Sequence, residues 1–374
     1  MDFRLSDEQL AMGSAVRQWM QRRADLTAGR EHAGAPAVDP ALYRAAAGLG
    51  WLGVTAPEAA GGLGLGLLDL SVVAEALGAT LAPAGVGTRM AAADVLAQSA
   101  DPEQLGRWLA PVVSGDLAAA TALRAPGGAW DRRGVGVTAT AGGVLDGDAG
   151  LADHAADAGI LVVAATAADG VGLYVVETGH PGVSIDAADP VDRTLRSARV
   201  RLAGVAAERL RHADDGLFER IVRRLTVLVS ADLVGAAGTA LRLTVDHLRQ
   251  RRQFGRAVGS FQAVQHELAE LYLEWTILTH AVWYAAHSQD AGLDDAAFMT
   301  SVVKSRAAEL ALRMSAATVQ FHGAAGLAWE HRAGLLFARL HRDAYDFGDA
   351  DWHDPIITAA AIGAGATSHT GVAP

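Results

Sequence analysis

Basic and amide side chains in the C-terminal half form two short blocks whose residue types suit the binding of an anion. The first block is Arg251-Arg252-Gln253-Phe254-Gly255-Arg256, followed by Gln262, and the second is Gln320-Phe321-His322-Gly323, followed by Gly326. Because the net charge of the chain is −11, an anionic ligand must be held by local positive charge, and the arginines of the first block supply it. The competing interpretation of that block is a solvated helix end followed by a turn.

Asp232 is the only charged residue between Arg224 and Arg242, in a segment that is apolar on every side. Burial of a carboxylate costs free energy unless the group is paired or protonated. One interpretation is a salt bridge between helices, to Arg223 or Arg313. The other is a carboxylate whose pKa is raised by desolvation, which makes it a usable base near neutral pH. Two glycines one and two turns later, Gly235 and Gly238, would let another backbone or a flat ligand approach.

Other kinds of site have little support in the sequence. The histidines at 322, 331, 341 and 353 lie 9, 10 and 12 residues apart, which gives no helical ligand pair, so we expect no metal site. There is no cysteine to act as a thiolate and no Gly-x-Ser-x-Gly elbow. A Gly-x-Gly-x-x-Gly motif after a strand is also missing, which argues against a doubly wound nicotinamide enzyme.

Composition indicates a globular protein. The chain has 374 residues, of which 51% are hydrophobic and 20% charged. The acidic net charge argues against a nucleic-acid partner. No apolar run reaches the roughly 18 residues of a membrane span. The start of the chain, Met1-Asp2-Phe3-Arg4, does not resemble an export signal. We therefore expect a cytoplasmic protein that is not embedded in a membrane.

Patterning along the chain predicts three successive domains. Residues 1–118 have helical spacing of apolar residues, and Ser6 with Gln9 predicts a capping box. Residues 119–215 contain short β-branched runs bounded by glycine, aspartate or proline, at 134–138, 159–163 and 172–176 among others. Such runs without intervening helices favour an antiparallel barrel or sandwich.

Long amphipathic helices are predicted again in the third domain, residues 216–374. The predicted helices span 217–250, 260–288, 292–323 and 329–345. Small and polar residues from Ala364 to Pro374 predict a frayed tail.

The whole chain resembles the acyl-CoA dehydrogenase superfamily of flavoproteins. The matching motifs occur in register: Met1-Asp2-Phe3 with Ser6-Asp7-Glu8-Gln9, Pro57-Glu58 with Gly61-Gly62-Leu63-Gly64, Arg251-x-x-Phe254-Gly255 with Gln262, Gln320-x-His322-Gly323, and Trp329-Glu330-His331. The fold expected from this resemblance is mainly α with a central β domain. It comprises an N-terminal helical domain, a middle antiparallel β barrel and a C-terminal four-helix bundle.

The resemblance also implies FAD as the cofactor. Arg251, Phe254 and Gln262 would contact the FAD of a neighbouring subunit, and Gln320, Gly323 and Gly326 would hold its adenosine side. A site shared in this way requires an oligomer, which is a homodimer or tetramer in most members and a hetero-oligomer in some. We assign substrate binding to Arg124, which stands where relatives have a Thr-Glu-Pro motif at the flavin face, and to Trp329.

A carboxylate base is expected from the same resemblance. Most members place a glutamate in a loop that corresponds here to Asp351, with Asp349 beside it. The Phe347-Gly348-Asp349 ending instead resembles an actinobacterial branch acting on sterol side chains and other bulky acyl-CoAs. In that branch the base is a glutamate in the first bundle helix, where Asp232 stands in this chain. Asp232 is therefore the favoured base, with Asp351 and Asp349 in reserve.

The activity implied is FAD-dependent α,β-dehydrogenation of an acyl-CoA or carrier-bound acyl thioester, with electron-transfer flavoprotein as the acceptor. Asp232 is one methylene shorter than glutamate, and Ala324 replaces the second glycine after Gln320. Two alternatives stay open. The chain is a non-catalytic subunit that completes a partner's flavin site, or it is a flavin-dependent monooxygenase on the same fold.

Overall fold

The computed structural model of the chain describes residues 4–23, 40–123, 129–192, 194–211, 216–327 and 331–368. Helices dominate the N-terminal part: α1 (Asp7–Arg22), α2 (Pro40–Gly48), α3 (Leu67–Thr80), α4 (Ala84–Ser99), α5 (Pro102–Gln104) and α6 (Ala110–Ser114). The capping box predicted before α1 is confirmed. The Gln9 amide donates to Ser6 Oγ at 3.2 Å, and the Ser6 amide donates to Gln9 Oε1 at 3.0 Å.

The strands of the middle part form one sheet around a small apolar core. They are β1 (Ala119–Ala122), β2 (Val137–Ala139), β3 (Val144–Asp153), β4 (Ile160–Ala167), β5 (Gly170–Glu177), β6 (Val183–Ala188), β7 (Ser197–Ala206) and β8 (Glu208–Arg209). Alternate residues of neighbouring strands, such as Leu145, Leu161 and Val200, point into this core and are fully buried.

The expected antiparallel barrel is wrong in two respects. β1 and β2 run parallel to β4, so the sheet is mixed. Its order is β6-β7-β3-β2-β4-β5-β8, with β1 also beside β4, and the described strands do not close into a barrel. Runs of β-branched residues predict that strands exist, but partner and direction depend on contacts between segments distant in the sequence. Here β2 and β3 lie between β1 and β4 along the chain, which gives the long connection that a parallel pair requires.

The C-terminal part is helical: α7 (Leu217–Gln250), the hairpin β9 (Arg252–Gln253) and β10 (Arg256–Ala257), α8 (Gln262–Asp290), α9 (Ala296–His322), α10 (Arg332–Tyr345) and α11 (Ala350–Ser368). α9 packs against α8, α10 and α11. Because α11 is a fifth helix, a four-helix bundle is not confirmed. α11 was not predicted, and it continues to Ser368 where a tail was expected from Ala364. Its second half lacks an amphipathic pattern but is rich in alanine, the residue with the highest helix propensity.

The chain divides into two compact units. One comprises Met1–Gln18, Ala74–Thr80 and Thr226–Pro374, and the other comprises Trp19–Val73 and Leu81–Leu225. The division into domains 1–118, 119–215 and 216–374 stays a prediction.

α7 is the helix of the described chain that is long and apolar enough to cross a membrane. In its most apolar window, 89% of the residues are buried inside the protein, as in the core helix of a soluble protein.

Within the first unit, α7 and the end of α3 cross at a pair of glycines. A Cβ added to Gly235 would lie 2.0 Å from the backbone oxygen of Glu75, and one added to Gly78 would lie 2.1 Å from the backbone oxygen of Asp232. The approach of another backbone predicted at Gly235 is therefore present. At Gly238 the neighbour is the Trp275 indole, 2.7 Å from an added Cβ.

We expect Gly235→Ala to destabilise the protein by about 3 kcal/mol, because the methyl group has no room unless the two helices separate. Urea unfolding would measure this change. The matched control is Gly87→Ala in α4, where an added Cβ meets nothing within 4 Å. That change should be neutral or slightly stabilising. Equal stability of the two variants would contradict the close crossing.

Candidate active site and cofactor surface

Asp232 lies on α7 and forms a bidentate salt bridge to Arg339 on α10. Arg339 Nε donates to Asp232 Oδ1 at 2.8 Å, and Arg339 Nη2 donates to Asp232 Oδ2 at 2.7 Å. The Arg339 side chain is 2% exposed and that of Asp232 15% exposed. The salt bridge predicted from the sequence therefore exists, but with neither suggested partner. Arg313 instead pairs with Glu274 at the surface.

The expectation that the pKa of Asp232 is raised is wrong. Burial acts to raise this pKa, but the charge and hydrogen bonds of Arg339 outweigh burial and hold the pKa below its ordinary value. Asp232 is therefore ionised at neutral pH and is oriented by a planar, two-pronged donor.

Asp343, one turn after Arg339 on α10, is a second buried carboxyl group in this cluster. Its Oδ1 lies 3.0 Å from Arg342 Nη1, and its Oδ2 lies 3.6 Å from Arg339 Nε, but neither oxygen accepts a well-aligned hydrogen bond. Burial raises the pKa of Asp343 well above its usual range, and the negative charge of Asp232 adds to the effect. Asp343 was not predicted from the sequence, although its spacing of four residues from Arg339 places both on one helix face.

Lys304 on α9 supports the connection between α10 and α11. It is fully buried, and its Nζ donates to the backbone oxygens of Ala344 at 2.7 Å and Gly348 at 2.6 Å. Burial lowers the pKa of Lys304 to about 8. The connection contains two residues with positive φ, Phe347 at 58° and Gly348 at 92°, so the lysine holds a turn that few sequences adopt unaided.

We expect Lys304→Met to destabilise the protein by about 2–4 kcal/mol, because two buried carbonyl groups lose their donor. Amide hydrogen exchange across residues 345–351 should accelerate at the same time. The control is Arg306→Met on the same helix, whose exposed pair with Glu309 should matter by less than about 1 kcal/mol. Unchanged exchange in the lysine variant would contradict this role.

The two alternative candidates for the base, Asp349 and Asp351, lie at the beginning of α11. Asp349 Oδ1 accepts the Trp352 amide at 3.2 Å, so this side chain caps the helix. Asp351 is exposed in the first turn. Neither arrangement tests a role as the base, and both assignments stay predictions.

The Arg251 block forms a short exposed hairpin after α7. Phe254, at its tip, has a φ of 51° and is 90% exposed, and Gly255 follows with a φ of 79°. The Arg256 guanidinium lies 3.9 Å from the Phe261 ring centroid, which fixes the returning strand against the start of α8. Gln262, the first residue of α8, is exposed.

The second block lies at the end of α9, on the same side of the helical unit. His322 stacks on His247 of α7 with ring centroids 4.4 Å apart, and His247 accepts the Arg251 amide at its backbone oxygen. Gln320 is exposed, and Gly323 ends the helix with a φ of 63° and open space where a Cβ would lie.

These residues fit a flavin dinucleotide. The hairpin offers guanidinium donors and an uncovered aromatic ring, and Gly323 leaves the backbone accessible to a close ligand. Gly326 is more enclosed, since its added Cβ would lie 3.0 Å from that of His322. Arg124 and Trp329 lie outside the described residues. Within the described part of the chain, no group of three histidine, aspartate or glutamate side chains is placed to hold a metal.

Two family models match the chain. The N-terminal domain of acyl-CoA dehydrogenase matches residues 6–116, and the C-terminal domain of acyl-CoA dehydrogenase matches residues 218–345.

Curated relatives and solved structures agree with this match. Acyl-CoA dehydrogenase IpdE2 of Mycobacterium tuberculosis is 32% identical over 77% of this chain and 76% of its own length. Acyl-CoA dehydrogenase FadE34 of the same organism is 28% identical over 90% of this chain, which spans only 45% of that relative. Among solved structures, a variant of the Tcur3481-Tcur3483 steroid ACAD has a TM-score of 0.87 and 29% identity, covering 96% of this chain and 99% of its own. The resemblance inferred from the sequence is thus confirmed, and the chain belongs to the acyl-CoA dehydrogenase family of flavoprotein oxidoreductases.

Proposed function

We propose that the chain catalyses FAD-dependent α,β-dehydrogenation of a bulky acyl-CoA thioester, with Asp232 as the base that removes the α proton. One observation carries the assignment of the base: Asp232 is held ionised and oriented by Arg339 while its side chain keeps some exposure. A carboxyl group must be ionised before it can accept a proton. A fixed orientation lowers the entropic cost of reaching the reactive geometry.

Arg339 has two opposing effects on this reaction. Its two hydrogen bonds fix the plane of the Asp232 carboxylate, which favours proton transfer along one direction. Its positive charge lowers the proton affinity of the same carboxylate, which slows proton removal. Bound FAD would supply the acceptor for the hydride that leaves the β carbon. The proton from the α carbon comes to rest on Asp232.

Arg251, Phe254 and Gln262 are the residues that would hold the cofactor from one side, with Gln320 and Gly323 on the other. Their exposure at one end of the helical unit supports an FAD site completed by a neighbouring subunit. We therefore propose a dimer or tetramer in which each chain lends its hairpin to a neighbour. Gly326 is retained in this proposal as a further contact of the adenosine side of FAD, and Arg124 and Trp329 are retained as contacts of the substrate.

The proposed substrate is a bulky, steroid-like acyl thioester, because a steroid enzyme is among the similar structures. The carrier is CoA, with an acyl-carrier protein as the alternative. Electron-transfer flavoprotein is the proposed acceptor, and the proposed compartment is the cytoplasm.

A second candidate function is a non-catalytic subunit of a hetero-oligomer. The observation that favours it is the same salt bridge, since Arg339 occupies both oxygens of Asp232 and lowers its basicity.

An anaerobic visible spectrum separates the candidates. We expect the purified chain to be yellow and its flavin to bleach when a steroid-like acyl-CoA is added, with short and branched acyl-CoAs in the same panel. A colourless protein, or a flavin that no thioester reduces, would favour the non-catalytic subunit. Rapid reoxidation by oxygen with substrate hydroxylation would point to a monooxygenase.

A further inference from the structure

Two carboxyl groups meet at one nitrogen of the Arg339 guanidinium. Arg339 Nε lies 2.8 Å from Asp232 Oδ1 and 3.6 Å from Asp343 Oδ2, so the two side chains share the same side of the arginine. Two carboxylates beside the same guanidinium nitrogen repel each other when both are ionised, and such pairs commonly hold one proton between them.

The hydrogen bonds show which of the two carboxyl groups is more easily ionised. Asp232 accepts two well-aligned guanidinium hydrogen bonds, whereas Asp343 accepts none and is completely buried. Ionisation of Asp343 would therefore leave a buried charge without aligned donors. Among the described residues, the charged groups that face it are Arg339 and Arg342 on α10, Asp232 on α7 and Lys304 on α9.

We propose that Asp343 is the positioning residue of Asp232: it remains a carboxylic acid at neutral pH and donates its proton to the Asp232 carboxylate. This inference rests on the proposed function of Asp232 as the base. The pair enters the reaction with one proton, takes a second from the α carbon of the substrate, and returns to one when a proton is released to solvent.

The shared proton predicts how the reaction depends on pH. When Asp343 loses its proton at alkaline pH, Asp232 loses a donor and gains a negative neighbour, so its proton affinity rises. We therefore expect flavin reduction to accelerate on the alkaline side in the parent chain. The Asp343→Asn variant keeps an uncharged donor and should lack this rise.

Infrared spectroscopy of the FAD-bound protein tests the proton without a substrate. The parent chain should show the carbonyl stretch of a protonated carboxylic acid at neutral pH, and Asp343→Asn should lose it. The matched control, Asp351→Asn, changes an exposed carboxylate near the same helix connection and should keep the band. A band of equal intensity in the parent chain and in Asp343→Asn would overturn the proposal.

Unfolding in urea at several pH values gives a second test. Because the folded pKa of Asp343 is raised, the folded chain holds one more proton than the unfolded chain above the ordinary carboxyl pKa, and stability falls as pH rises through that window. In Asp343→Asn this extra proton is absent, so the free energy of unfolding should fall less steeply with pH, by the contribution of one proton. An unchanged slope would show that Asp343 does not carry the extra proton in the folded chain, and it would reject the proposal.

These two tests are independent of catalysis. If the shared proton is found but Asp232 proves unnecessary for flavin reduction, the proposed base is wrong while the carboxyl pair stands.

Discussion

Replacement of Asp232 by asparagine is expected to slow the reduction of bound flavin by an acyl-CoA about 100- to 10,000-fold. Asparagine has nearly the same size and can accept a hydrogen bond from Arg339, but it cannot take up the α proton. Stopped-flow absorbance under anaerobic conditions would measure the rate. FAD content measured on the same sample should be unchanged, because the proposed cofactor residues lie on other segments.

The chain contains a well-matched control for the structural cost of this change. Asp94 and Arg224 form a second buried bidentate pair, with donor–acceptor distances of 2.8 and 2.7 Å. Asp94→Asn should lower stability by a comparable amount and leave the rate of flavin reduction in the folded protein nearly unchanged. Asp351→Asn tests the reserve base. The assignment of Asp232 fails if only the change at 351 abolishes reduction.

Arg339→Gln is expected to lower the free energy of unfolding by about 3–5 kcal/mol at neutral pH, because Asp232 is left as a buried charge without its cation. The sign of the pH dependence follows from the pKa of Asp232, which is lowered in the parent chain. The ion pair therefore stabilises the parent above the ordinary carboxyl pKa, and this stability is lost as pH falls through the lowered value. The deficit of the variant should shrink in acid.

Urea unfolding between pH ~2 and ~7 would measure this deficit and its decrease in acid. Arg313→Gln is the control, since its pair with Glu274 is exposed on both sides and should contribute no more than about 1 kcal/mol. If the loss of unfolding free energy is small in Arg339→Gln, or equal in the two variants, Asp232 is hydrated and is not a buried charge that depends on Arg339. If Arg339→Gln folds, the pKa of Asp232 should be higher than in the parent chain because the guanidinium is gone. The pH dependence of flavin reduction should then shift to higher pH.

Local features of this fold were predictable because they depend on residues close in sequence. The capping box of Ser6 and Gln9, the strand near residues 159–163 and the limits of α7 are determined by neighbours a few positions away. The parallel pairing of β1 with β4 was missed, because it joins segments about forty residues apart whose patterns carry no information on direction.

The candidate site shows the same limit. An isolated carboxylate in an apolar helix correctly indicated that Asp232 is paired or perturbed. Its partner is Arg339, 107 positions later, and nothing in the spacing distinguishes that arginine from Arg223 or Arg313. The raised pKa was predicted from burial alone, and the adjacent guanidinium of Arg339 reverses that direction.

The glycine crossing restricts how this protein can be re-engineered. The proposed base sits on a helix whose backbone touches Gly78, a residue of the N-terminal third of the chain. A chimaera that takes its first hundred residues from a relative would need glycine at the equivalent of position 78. Any larger residue there would move the helix that carries Asp232, and so would displace the proposed base from a distant part of the sequence.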